Sequence, residues 1–148
     1  MKPDRIFGFQ LGGSVYRDRI TASGLPGASE WIQSFHIVRE KETPELIAEF
    51  ANVRHARTDT GLVSNSQAWY VQMAYRVAPK LKPYYRYEYI HIPQSDLILR
   101  KVPGLSGSTA GLRYDLSTFS ALKFEYRSVK RPGQPRINVG FMQSSFTF

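Results

Sequence analysis

The chain has no cysteine, so disulfide bridges and thiolate metal sites are excluded. It has no apolar run near the roughly 18–20 residues that a membrane-spanning helix requires, and its mean hydropathy is negative. A helical membrane protein is excluded with it. Helix signals are scarce throughout; only Glu40 to Phe50, with Thr43-Pro44 as a helix start, sets helix against strand. A signal-peptide core is also missing, because Ile6-Phe7-Gly8-Phe9 is interrupted at once by Gln10 and Gly12-Gly13. The expectation is mature numbering or part of a longer precursor. Basic runs are lacking too: the 20 Lys and Arg against 12 Asp and Glu give a net charge of +8, but they are scattered singly among acids and tyrosines, so no nucleic acid is expected as a partner.

Aromatic residues, in contrast, are plentiful: nine Tyr, nine Phe and two Trp, most of them in alternation with polar residues. At 148 residues with no shift of composition, one domain over 1–148 is expected. The alternation predicts eight strands: Ile6 to Tyr16, Glu30 to Arg39, Pro44 to Arg54, Gln67 to Val77, Lys82 to Ile92, Ser108 to Leu116, Ala121 to Val129 and Ile137 to Phe148. The connections alternate between long (Arg17 to Ser29, His55 to Ser66, Pro93 to Gly107, Lys130 to Arg136) and short (Glu40 to Thr43, Ala78 to Leu81, Ser117 to Ser120).

The fourth to seventh strands sort their residues by face. Trp69, Tyr75, Tyr85, Tyr87, Tyr89, Tyr114, Phe124 and Tyr126 fall on one side, and no charge falls among them. On the other side lie Arg76, Arg86, Glu88, Arg113, Asp115, Lys123, Glu125 and Arg127, with Glu49 joining them from the third strand. An Arg or Lys on a lipid face would cost about 2–4 kcal/mol at mid-bilayer. With loops sorted by length, the pattern predicts an all-β fold: an antiparallel transmembrane β-barrel of the bacterial outer membrane, with aromatic girdles facing lipid and charges facing a lumen. The eight strands either close alone, as a small barrel that presents its loops and conducts nothing, or form the C-terminal half of a larger one. A soluble lipocalin-like barrel is the rival, and inward charge counts against it.

Leu112-Arg-Tyr-Asp-Leu, Ser120-Ala-Leu-Lys-Phe-Glu-Tyr-Arg127 and the closing Phe146-Thr-Phe148 resemble the last strands of phosphate-selective bacterial porins, and Ala68 to Glu88 looks like the hairpin before them. The resemblance implies a passive pore for small hydrophilic solutes, without enzymatic activity or cofactor. It also implies an assembly signal at Phe146 and Phe148 read by the barrel assembly machinery. Outer-membrane lipid and lipopolysaccharide are then partners. Arg100, Lys101, Lys130, Arg131 and Arg136 in the long loops would focus small anions at the mouth. His36, His55 and His91 lie on different strands without a nucleophile motif or metal spacing, so each reads as a lone polar residue, and Gly8, Gly12 and Gly13 read as sites of strand curvature or close packing.

Overall fold

The computed structural model describes residues 8–21, 26–41 and 43–147. Ile6 and Phe7 of the first expected strand, and Phe148 of the last, lie outside the described residues. Eight strands form: β1 (Phe9–Ile20), β2 (Ala28–Arg39), β3 (Glu45–Arg57), β4 (Val63–Ala74), β5 (Leu81–His91), β6 (Leu105–Ser117), β7 (Ser120–Lys130) and β8 (Ile137–Phe146). They make one antiparallel sheet in sequence order, β1 to β8, each strand paired with the next. The Glu40 to Phe50 segment takes the strand alternative: Thr43 and Pro44 form a turn and β3 follows directly.

The sheet is open. Among the described residues nothing pairs with the outer side of β1 or β8, and all ten residues of β8 are exposed. Closure would have required a β1–β8 ladder, so the barrel expectation, as a small closed barrel or as half of a larger one, is corrected to an open eight-stranded sheet. With it go the pore, the non-conducting outer-membrane barrel and the outer-membrane location. An open edge in hydrocarbon leaves backbone amides and carbonyls without partners, at several kcal/mol each, and only closed barrels or helices avoid that.

The expected alternation of connections is also only partly realised. The stretch His55 to Ser66 contracts to a tight connection, residues 58–62, because β3 and β4 extend further than expected. Arg57 N–H donates to Leu62 O (2.9 Å), Gly61 N–H donates to Arg57 O (3.0 Å), and Gly61 supplies the positive φ of 68°. The Arg57 guanidinium caps the turn through both Asp59 oxygens (3.0 and 2.6 Å). The longest connection is 92–104, between β5 and β6.

Among the described residues no second layer covers the sheet. The buried hydrophobic residues are Ala28, Ala74 and Ala121, while Met73, Tyr85, Phe124, Tyr126 and Met142 all stand 44–72% exposed. The surface is 10404 Å², against roughly 7,700 Å² expected for a compact monomer of this mass. Cohesion therefore comes from ladders and cross-strand pairs worth roughly 0.2–1 kcal/mol each. On the apolar face Trp69 of β4 meets Tyr87 and Tyr89 of β5, with ring centroids 5.5 and 5.8 Å apart.

On the other face one glycine of β6 carries a special burden. Gly111 stands between Tyr84 of β5 and Glu125 of β7 in the register, and the Tyr84 hydroxyl crosses it to donate to Glu125. Arg127 of β7 also reaches Glu88 of β5, on a diagonal that runs from the Thr109 rung of β6 to the Gly107 rung. A Cβ on Gly111 would lie 2.0 Å from the Tyr84 ring. Gly111→Val is therefore expected to lower stability by about 1–3 kcal/mol in urea unfolding. Gly140→Ala, whose Cβ would meet only the Glu125 carbonyl at 4.0 Å, should cost less; equal losses would refute the bridging role of Gly111.

Candidate functional site

The register puts Glu49, Arg86, Glu88, Arg113, Asp115, Lys123, Glu125 and Arg127 on one face of the sheet, and Arg76, just past the end of β4, joins them through Asp115. With the sheet open there is no lumen for them to line. They bond to one another instead. Arg113 Nε and Arg76 Nη1 donate to the two oxygens of Asp115 (2.7 and 3.1 Å), Lys123 pairs with Glu125 (2.8 Å), and Glu88 takes Arg127 and, at 3.4 Å, Arg86. The Arg86 guanidinium also sits 4.0 Å from the centre of the Tyr70 ring, and Tyr70 bonds to Glu49. Arg113 and Arg76 hold the Asp115 carboxyl below its ordinary range. Burial would raise Glu125, but Lys123 and Tyr84 bring it below its usual value. Tyr84 is pushed well up, by burial and by the Glu125 carboxylate its hydroxyl faces. The network is nearly self-neutralising, five bases against four acids.

The expected lipid-facing aromatics share the opposite face, and Phe146 lies on it at the end of β8. The loop bases are dispersed: Lys130 ends β7, Arg100 and Lys101 lie in 92–104, and Arg131 and Arg136 lie in 131–136, where Arg136 donates to Ser128 Oγ (3.1 Å). An open sheet has no mouth for them to ring. Anion focusing, lipid, lipopolysaccharide and assembly-machinery partners are corrected together with the barrel they presupposed.

The structure assembles one cluster that the sequence does not announce. His55 of β3 is 3% exposed and Asp96, from the 92–104 connection, is fully buried. His55 Nδ1 lies 3.0 and 2.9 Å from the two Asp96 oxygens, and its Nε2 lies 2.8 Å from Glu30 Oε2 on β2. Ser66 of β4 donates its hydroxyl to Asp96 (2.9 Å), and the Ile98 and Leu99 amides donate to Asp96 Oδ1 (3.0 and 2.9 Å). Burial alone would raise the Asp96 carboxyl, but the Leu99 amide, His55 and Ser66 together hold it below its ordinary range. Serine, histidine and aspartate are all present, yet not as a nucleophilic triad. Ser66 gives its proton to Asp96, and both His55 nitrogens are already engaged, so neither a relayed hydroxyl nor a free base is on offer. His55 is thus no lone polar residue. Of the other histidines, His36 stands opposite Glu49 with its ring over Gly12, and His91 stacks on Tyr89 at 6.5 Å and 7°.

The third feature is the β8 edge. From Ile137 to Phe146 it has no charged residue and no proline. Its facing is unusual, because Ile137, Val139 and Phe141 lie on the charged side of the sheet, Val139 opposite Arg127 and Phe141 opposite Glu125, while Met142 and Phe146 lie on the apolar side. Both faces of β8 are thus apolar in part. β1, the other edge, ends in Tyr16-Arg17-Asp18-Arg19 and carries Gly12-Gly13.

Known proteins supply no relative: no family model matches the chain, and no curated protein or solved structure matches it. The resemblance to phosphate-selective porins is corrected by the open sheet.

Removing the Asp96 carboxylate strands four donors in a buried site, so Asp96→Ala is expected to cost about 3–5 kcal/mol in equilibrium unfolding. Because its folded carboxyl titrates low, the stabilisation from Asp96 is complete above the unfolded carboxylate range, about 3.9, and is lost as pH falls through the lower folded value. Asp96→Asn should therefore flatten the acid limb of the stability–pH curve; an unchanged acid limb would show that Asp96 is not the group responsible.

Proposed function

We infer that this chain is an interaction module that binds an extended segment of another polypeptide by strand addition along β8. The observation that carries this reading is the unguarded edge: ten consecutive exposed residues without charge or proline, paired among the described residues on the β7 side alone. Sheet proteins ordinarily blunt such edges with lysines, prolines, bulges or a covering element, because an open row of amides and carbonyls is a template for another strand. β1 carries charges towards its end, whereas β8 has none. Strand addition takes its affinity from main-chain hydrogen bonds and its selectivity from alternate side chains. The occupant that fits is uncharged and apolar at alternate positions, since Ile137, Val139 and Phe141 line up on one side of the edge and Met142 and Phe146 lie on the other.

The uncovered surface supports the same reading, because exposed apolar area on this scale marks a site of association. The reading is non-catalytic. What favours that is the engagement of Ser66 and of both His55 nitrogens within the fold.

A ten-residue peptide of alternating Val and Thr serves as the probe. Its addition is expected to slow hydrogen exchange selectively at the alternate β8 amides that do not bond to β7, and Phe141→Pro should abolish that protection. Exchange at β8 that is identical with and without peptide would sink strand addition. A concentration-dependent dimer that Phe141→Lys dissolves would instead make a second copy the occupant.

A further inference from the structure

On the apolar side of the sheet β8 presents Asn138, Gly140, Met142, Ser144 and Phe146, and Gly140 stands directly opposite Tyr126 of β7. The space that a side chain would fill there is open: a Cβ built on Gly140 would have only the Glu125 carbonyl within 4.0 Å. Exposed Phe124, Tyr126 and Met142 wall an apolar hollow of about 700 Å³ over Ala110, Leu112 and Gly140. Along β8 that wall is interrupted at Gly140, between Asn138 and Met142.

The molecule already bridges one such gap. Tyr84 of β5 crosses Gly111 of β6 and donates to Glu125 of β7, so a side chain two strands away reaches its partner over a bare glycine. A strand added to β8 would stand to Gly140 and Tyr126 as β5 stands to Gly111 and Glu125. An aromatic ring on that strand, facing Gly140, would cover the exposed glycine backbone and meet the Tyr126 ring. Charge fixes the rest of the occupant. The segment 130–136 carries Lys130, Arg131 and Arg136 and no acid, and among the described residues none of the three is in an ion pair; Arg136 bonds only to Ser128 Oγ. These bases stand at the Ile137 end of an edge that is itself uncharged. Every ladder of the sheet is antiparallel, and a guest that continues the pattern reaches Arg136 four residues after the residue that faces Gly140.

We propose that the gap at Gly140 and the bases of 130–136 select the occupant of β8: an extended segment with an aromatic side chain facing Gly140 and carboxylates immediately C-terminal to the stretch that pairs. This rests on strand addition at β8 and names the chemistry of its partner. Main-chain bonds hold any extended segment, whereas the side-chain gap and the flanking charge discriminate between segments. The ring sets the register, because a guest shifted by two residues would drive it against Met142 or Asn138. The carboxylates set the direction.

The test compares two peptides on the intact chain, Thr-Val-Thr-Val-Tyr-Val-Thr-Val-Glu-Glu and the same sequence with Thr in place of Tyr. The Tyr peptide is expected to bind about tenfold more tightly, with contacts between its ring and that of Tyr126 in isotope-filtered NMR spectra. Gly140→Val fills the gap and should remove that advantage while leaving the Thr peptide bound. Gln-Gln in place of Glu-Glu should weaken binding by about threefold in low salt and not at about 1 M salt, where surface charges are screened. If both peptides protect the β8 amides equally, or the Tyr advantage survives Gly140→Val, the aromatic site is overturned and strand addition stands. If neither peptide protects β8, both readings fall.

Discussion

A single-layer sheet has to hold itself together without a core, and here the interaction on which that depends is contact between side chains two strands apart. Ladders tie each strand to its neighbours, but they do not restrain the angle between strands β5 and β7. Tyr84–Glu125 and Arg127–Glu88 do so, the first across Gly111 of β6 and the second on a diagonal between the Thr109 and Gly107 rungs. These bridges sit at the surface of the polar face, where an ion pair alone is worth little. Their value lies in linkage into a network in which nearly every charge has an opposite partner. The same face is fastened at its other end by His55, Ser66 and Asp96.

The strands were plain in the sequence because the two-residue period persists through all eight of them, and a period of two admits no helix. The strand β3 was the ambiguous one, since Glu40 to Phe50 carries a helix-start signal, yet its Leu46, Ala48 and Phe50 keep to one side and settle into the sheet. The openness of the sheet was not legible. Alternating apolar and polar faces suit a closed barrel and an open sheet equally, and the feature that separates them is whether the first strand pairs with the last, which no local pattern encodes. The facing of β8 was there to be read. Ile137, Val139 and Phe141 alternate against Asn138 and Gly140, placing the bulkier residues on the side where β7 has its charges, a mismatch with a lipid-facing strand. The His55 cluster was not readable, because Glu30, His55, Ser66 and Asp96 come from four separate segments. Only the Asp96-x-x-Leu99 turn has a local signature, that of a carboxylate capping the amides two and three residues on.

The two faces of the molecule thus divide its roles. The charged face pairs most of its charges internally and holds the long connection through Ser66 and His55, and the apolar face and the β8 edge remain available. The strand-accepting edge follows from a count of donors and acceptors: among the described residues the outer side of the β8 backbone has no strand to pair with.

Every ladder in the sheet joins strands that are consecutive in the chain. Backbone pairing in this order does not wait for a distant segment to arrive, so the loop-closure entropy of each ladder is small and the sheet can grow by adding one hairpin at a time. In that respect it behaves as a one-dimensional array, in which stability accumulates from neighbour to neighbour and the terminal units are the weakest. β1 and β8 are therefore the strands that fray first, and a partner strand laid along β8 would act as the missing cap of the array.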